Sequence, residues 1–231
     1  MKYDLSKITK GNMGQGEELT SRLFKIVSKP VGTFVIKYTP FTPNQITVAS
    51  YFALIFSVLF FLMTPYSTDP YSFRLIGAGF AVLLYLLDDI DGMIARAKNL
   101  GSIKGKWMDS IVGFIFPSLL FFSLAFSLKN DALGYNYLLL GSIAMVCFPI
   151  QYSLIYSFKH DFVPLFKEKT FLGMSKDNKW RYVYGSATIY PILFFSCLFN
   201  IPWLPLLFYA VVGNLFWVLI AILQFKQVSR Q

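Results

Sequence analysis

Six long apolar segments restrict this chain to a membrane-embedded, all-α fold. They cover residues 46–63, 73–87, 108–128, 138–157, 182–199 and 203–225. A helix needs about 20 mostly apolar residues to cross a bilayer, and the segments lack the alternating pattern of barrel strands. Only 14% of the 231 residues are charged, whereas soluble domains carry about 25%. We therefore predict an integral, multi-pass membrane protein with six transmembrane helices.

The distribution of Lys and Arg predicts the orientation of these helices. All but two of the 21 basic residues lie in alternate connections or in the terminal segments; the exceptions are Arg74 and Lys129. Because cytoplasmic segments are enriched in Lys and Arg, we expect both termini in the cytoplasm. This bias and attraction to anionic lipid headgroups explain most of the net charge of +9, so no nucleic-acid partner is expected.

Residues 1–45 are expected to form a cytoplasmic or interfacial segment ahead of one membrane domain over residues 46–226. Within residues 17–29, four apolar residues recur at helical spacing: Leu19, Leu23, Ile26 and Val27. Such an amphipathic helix lies in the membrane interface or docks on the protein as a soluble helix. Prolines are then expected to break the chain before the first membrane helix starts at Asn44: Pro30, Pro40 and Pro43.

Four of the twelve acidic residues cluster where the second and third segments meet the cytoplasm: Asp88, Asp89, Asp91 and Asp109. A carboxylate at membrane-centre depth costs roughly 2.5–3.5 kcal/mol, and neighbouring carboxylates also repel one another. The cluster is therefore expected to be neutralised by cations. One interpretation is a bound divalent cation, and the other is an interfacial acidic patch paired with basic neighbours: Arg96, Lys104 and Lys106.

Helix geometry favours the cation. If the second helix continues through the acids, two carboxylates and two small residues share an arc of roughly 100°: Asp88, Asp91, Gly92 and Ala95. Asp109 is expected to face this arc across a short, glycine-containing connection. Carboxylate oxygens suit Mg²⁺, Mn²⁺ or Ca²⁺ better than zinc.

The same residues resemble the signature of the CDP-alcohol phosphatidyltransferase family. The match reads Asp88-x-x-Asp91-Gly92-x-x-Ala95-Arg96, followed after eight residues by Gly105-x-x-x-Asp109. The segment Pro43-Asn44-Gln45-Ile46-Thr47, which precedes and enters the first apolar segment, is similar to the opening motif of that family. Fixed identities at fixed spacing make this a specific resemblance.

The resemblance implies a homodimeric membrane transferase with its active site at the cytoplasmic face. Such an enzyme moves the substituted phosphate of a CDP-linked alcohol, often CDP-diacylglycerol, to an alcohol acceptor and releases CMP in phospholipid or related metabolism. Asp88, Asp91 and Asp109 would hold Mg²⁺ or Mn²⁺, and Asp109 and Arg96 would be catalytic. The implied nucleotide-binding residues are Thr47, Asp88, Gly92, Ala95, Arg96 and Gly105, and Lys104 and Lys106 are candidates for contacts to phosphate or acceptor.

One position departs from the family pattern. The fourth aspartate of the signature, regarded as a metal ligand and as the base for the acceptor, would fall four residues after Asp109, where this chain has Gly113. Two interpretations remain open: an active transferase without that base, or an inert relative that binds CDP-lipid or metal as a partner subunit. A transporter is disfavoured because the acids lie at one edge and not near the bilayer midplane.

Overall fold

A computed structural model describes residues 19–158 and 186–229, and every regular element in them is helical. The α-helices are α1 (Leu19–Tyr38), α2 (Pro43–Met63), α3 (Pro70–Lys98), α4 (Ile103–Ser127), α5 (Gly134–Ser157), α6 (Ile189–Leu198), α7 (Leu204–Phe208) and α8 (Asn214–Val228). Short 3-10 turns occupy Thr64–Tyr66 and Ser186–Thr188, and a π turn over Tyr209–Gly213 joins α7 to α8. The predicted all-α fold is confirmed for this part of the chain.

Three helical stretches in the described residues are long and apolar enough to cross a membrane: Pro43–Tyr66, Tyr135–Ile155 and Leu204–Val228. Two further helical stretches are apolar but shorter, Ile115–Ser127 and Ile189–Leu198. The fifth predicted segment, residues 182–199, begins with four residues outside the described part. These stretches support an integral membrane protein, and the number of six spans stays a prediction.

The first helix is longer than the sequence predicts. We expected Pro30 to break the chain, but α1 continues through it to Tyr38, so that prediction was wrong. Proline removes one backbone hydrogen bond from a helix, yet tertiary packing supplies most helix stability. The buried residues of α1 lie one turn apart and face α3: Ser28, Gly32 and Ile36. Residues 17 and 18 of the expected amphipathic helix lie outside the described part.

Capping residues set where the long helices α2, α3 and α4 begin. At α2, Thr42 and Gln45 form a reciprocal capping box around Pro43, which occupies the first helical position, so the helix starts one residue before the expected Asn44. The Asp69 side chain caps α3 and the Ser102 side chain caps α4. Ser, Thr and Asp are preferred at such positions because their oxygens accept hydrogen bonds from otherwise unpaired amides.

The long helix α3 is central to the bundle. It packs against α2, α1 and α6, while α4 packs against α5 and α2. Large, fully buried side chains fill the space between these helices, including Phe61, Leu84, Phe121 and Leu193. At the end far from the α3–α4 connection, the buried Arg74 guanidinium donates to the Ser127 carbonyl at 2.9 Å.

The last predicted segment is interrupted by the π turn Tyr209–Gly213. The Asn214 side-chain amide provides a donor to backbone carbonyls at this interruption. Its Nδ2 lies 3.2 Å from the Tyr209 carbonyl, 3.0 Å from the Ala210 carbonyl and 3.1 Å from the Ile143 carbonyl on α5. Trp217 Nε1 donates to Asn214 Oδ1 at 2.8 Å. Polar groups in an apolar helix need such internal partners because lipid offers none.

Candidate functional site

A cavity of about 520 Å³ lies where the start of α2, the last turns of α3 and the start of α4 meet. Its lining residues are Pro43, Asn44, Thr47, Asp91, Gly92, Ala95, Arg96, Leu100, Gly101, Ser102, Ile103 and Gly105. The structure thus brings together six residues that the sequence singled out: Thr47, Asp91, Gly92, Ala95, Arg96 and Gly105.

A short connection brings these helix ends together. Asn99 ends α3 in the left-handed region with φ 53°, which Asn tolerates better than most residues. The Leu100 amide donates to the Ala95 carbonyl at 2.9 Å, and three residues later the chain has entered α4. Lys98 Nζ also donates to the Thr39 and Phe41 carbonyls at 3.3 and 3.0 Å. The segment before α2 is therefore held against the end of α3.

Thr47 and Asp91 form the buried polar contact of the cavity. Thr47 Oγ1 lies 2.5 Å from Asp91 Oδ2, and the residues are only 3% and 5% exposed. A hydroxyl that donates to a carboxylate makes a short, charge-assisted hydrogen bond. This bond joins α2 to α3 and fixes the orientation of the Asp91 carboxylate.

Arg96 folds back over Gly92, one turn earlier on α3. A Cβ atom added at Gly92 would lie 3.2 Å from Arg96 Nη1, so the glycine leaves room for the guanidinium. Arg96 Nε is buried and has no hydrogen-bond partner within the described part of the chain. Leaving a buried donor unpaired costs about 1–3 kcal/mol, and an anionic oxygen in the cavity would satisfy it.

Gly105 lies where the start of α4 meets the start of α2. A Cβ atom at Gly105 would lie 3.2 Å from Ser102 Oγ and 3.6 Å from Asn44 Oδ1. Asn44 was not singled out individually from the sequence. Its place in the segment that opens with Pro43 was the available signal.

The other predicted residues lie on α3 and α4, two of the helices that form this cavity. Asp88 is half-buried one turn before Asp91 and outside the lining, and Lys104 is exposed at the start of α4. The backbone of Lys106 and Asp109 lies in the first two turns of α4, but their side chains fall outside the described part. Asp89 accepts a hydrogen bond from Ser28 Oγ on α1, a contact that the sequence did not indicate.

The carboxylates near the cavity are the kind of ligand that a hard divalent cation prefers. Asp88 and Asp91 offer carboxylate oxygens from one side of α3, and oxygen donors suit Mg²⁺ and Mn²⁺. Among residues 19–158 and 186–229, no three His, Cys, Asp or Glu side chains group closely enough to hold a metal ion. The third predicted ligand is Asp109, whose side chain is not among those described.

The chain thus combines helices long and apolar enough to cross a membrane with a cavity lined by a carboxylate and a guanidinium. The chain belongs to the CDP-alcohol phosphatidyltransferase family, whose model matches residues 41–175. The match covers α2 to α5 and includes every lining residue of the cavity, from Pro43 to Gly105. No curated protein shows a significant match to the chain.

Proposed function

We propose that this protein transfers the substituted phosphate of a CDP-linked alcohol to an alcohol acceptor and releases CMP. The observation that carries the proposal is the cavity between α2, α3 and α4. There a buried carboxylate, Asp91, and a guanidinium with an unsatisfied nitrogen, Arg96, line one space within the region matched by the family. CDP-diacylglycerol is one donor of this class.

The residues at the cavity have complementary roles in this reaction. Mg²⁺ or Mn²⁺ held by Asp88, Asp91 and Asp109 would neutralise the pyrophosphate and stabilise charge on the leaving CMP. Thr47 holds the Asp91 carboxylate, and Arg96 donates to phosphate oxygens, with Lys104 and Lys106 as further cations. The amino-terminal ends of α2 and α4 add partial positive charge near the phosphates.

In the transfer itself, the acceptor hydroxyl oxygen forms a bond to the phosphorus that carries the donor alcohol. The bond from that phosphorus to the bridging oxygen breaks, CMP leaves, and the hydroxyl proton passes to a base. By the family resemblance the base would stand at position 113, where this chain has glycine. A Cβ atom there would meet Tyr152 Cε2 at 3.7 Å, an ordinary contact, so the position has room for a small side chain.

We infer that the enzyme is slow on ordinary alcohols or uses an acceptor that supplies its own base or anionic oxygen. A positioned base contributes typically 10²–10⁴-fold, and glycine supplies none. The second candidate function, an inert relative that binds CDP-lipid or metal as a partner subunit, is favoured by the same glycine. Activity measurements separate the two.

The test is CMP release by the purified full-length protein in detergent, with a panel of CDP-alcohols and acceptors in Mg²⁺ or Mn²⁺. We expect CMP with at least one pair of substrates and its loss in Asp91→Asn. Asp69→Asn is the matched control, because it makes the same change on α3 at the helix start, far from the cavity. Equal CMP release by wild type and Asp91→Asn would contradict the assigned site.

Position 113 has its own test. Gly113→Asp is expected to raise turnover on neutral alcohols, whereas Gly113→Asn, which has the same shape but cannot take up the proton, should not. Rapid turnover of a neutral alcohol by wild type, slowed by Gly113→Asp, would show that another group is the base. Absence of CMP from both wild type and Gly113→Asp would favour the inert relative.

We further propose six membrane helices, with both termini and the active site at the cytoplasmic face and α1 in the interface. The 29 residues of α3 span about 43 Å, more than the roughly 30 Å hydrocarbon core, so its acidic end can lie beyond the lipid tails. Exposed apolar residues on α1 support contact with lipid: Leu23, Ile26, Val27 and Phe34. A homodimer is proposed from the family resemblance alone.

A further inference from the structure

Helix α1 is attached to α3 along the stretch that carries the acidic residues. The fully buried Ser28 donates its hydroxyl proton to Asp89. One turn later, a Cβ atom added at Gly32 would lie 2.6 Å from Met93 Cε and 3.7 Å from Ile90 Cγ1. The two helices are thus in close contact at Gly32, where an added Cβ atom would require the end of the Met93 side chain to move.

The Asp89 side chain leaves α3 in a different direction from those of its acidic neighbours, Asp88 and Asp91. At 100° per residue, it is turned about 100° from Asp88 and about 200° from Asp91. It bonds to α1 and does not line the cavity to which Asp91 contributes. Neighbouring carboxylates repel one another, more strongly where little water screens them. The direction of the Asp89 side chain therefore affects the electrostatic potential at the cavity.

We propose that Ser28 is a positioning residue for the cation and nucleotide site. By holding the Asp89 carboxylate on the α1 side, Ser28 fixes the rotation of α3 that presents Asp91 to the cavity. This inference rests on the proposed function, because it concerns how the proposed cation site is organised.

Direct Mn²⁺ binding tests this role without turnover. Binding to the purified full-length protein is followed by the loss of the free-ion electron paramagnetic resonance signal. We expect Ser28→Ala to weaken Mn²⁺ binding about tenfold, the lower end of the effect of residues that orient metal ligands. Ser28→Thr, which keeps the hydroxyl, should restore the affinity, and Ser28→Cys, a weak donor, should fall between them.

Thr33→Ala is the matched control, because Thr33 Oγ1 donates only within α1, to the Lys29 carbonyl at 2.8 Å. It should bind Mn²⁺ as wild type does. In CMP release, Ser28→Ala should need about tenfold more Mn²⁺ for half-maximal rate, with kcat near that of wild type at saturating Mn²⁺. A general loss of fold would lower kcat instead, and rescue by Ser28→Thr excludes it.

A double-mutant cycle tests whether Ser28 acts through Asp89. Asp89→Ala, which removes the acceptor of the Ser28 hydroxyl, should weaken Mn²⁺ binding, and adding Ser28→Ala to it should have little further effect. Additive losses, or equal binding by Ser28→Ala, Thr33→Ala and wild type, would overturn the inference and leave the proposed function intact. Absence of Mn²⁺ binding by wild type would overturn both.

Discussion

Replacing Thr47 by Val tests whether its hydroxyl holds the buried Asp91 carboxylate. The two side chains have nearly the same shape, so the change creates no cavity and removes only the donor that lies 2.5 Å from Asp91 Oδ2. Hydrogen bonds to charged groups contribute about 1.5–3 kcal/mol. Because both residues are almost fully buried, little water is available to replace the hydroxyl. We therefore expect Thr47→Val to lower the free energy of unfolding by about 1.5–3 kcal/mol.

The assay is equilibrium unfolding in mixed micelles, with and without Mn²⁺. Saturating Mn²⁺ should recover part of the loss, because a ligand that binds only the folded state stabilises it. Ser50→Ala is the matched control: Ser50 is also buried on α2, but its hydroxyl donates to a backbone oxygen, the Thr47 carbonyl, at 2.7 Å. Its removal should cost about 0.5–1.5 kcal/mol. If Thr47→Val costs no more than Ser50→Ala, Thr47 does not hold Asp91.

Three further predictions concern charge and sidedness. Arg96→Lys keeps the charge but loses the planar fork that suits phosphate, so we expect CMP release to fall roughly tenfold or more, measured beside wild type; an unchanged rate would remove Arg96 from the site. A cysteine in place of Lys167 should react with an impermeant maleimide only from the cytoplasmic side, and labelling from outside intact cells would overturn the six-span topology. Hydrogen bonds from Ser72 lower the pKa of Asp69 below its ordinary value of 3.8. The ionised Asp69 side chain therefore stabilises α3 above about pH 3.8, and this effect is lost as the pH falls through the lowered pKa. The thermal unfolding temperature of Asp69→Asn, which retains a capping side chain, should vary less with pH over this acidic range.

Local sequence signals predicted much of the helix order. Apolar segments located α2, α4 and α5 because their length and composition act within one element, whereas the capping residues Thr42 and Ser102, which set the starts of α2 and α4, were identified only in the structure. Pro30 misled because a proline penalty is local, whereas the stability of α1 comes from its packing on α3. The interruption at Tyr209–Gly213 was not predicted, because Asn214 accommodates it partly through the Ile143 carbonyl on α5, a contact between helices that no local pattern specifies.

The site was predictable as a set of residues and less so as a set of contacts. Helical periodicity placed Asp91, Gly92 and Ala95 together, because residues three and four apart share a face. The bond between Thr47 and Asp91 joins residues 44 positions apart, and the one between Ser28 and Asp89 joins residues 61 apart. Such pairings depend on how whole helices pack, which no spacing within one helix specifies.

Asn214 fixes how far α8 can move along α5 within the bilayer. Its amide reaches the Ile143 carbonyl at 3.1 Å while it also lies against two carbonyls of its own helix. A slide by one helical turn, about 5.4 Å, would carry the amide away from the Ile143 carbonyl. Contacts between apolar side chains alone would tolerate such sliding, so this single side chain gives α8 a defined register against α5.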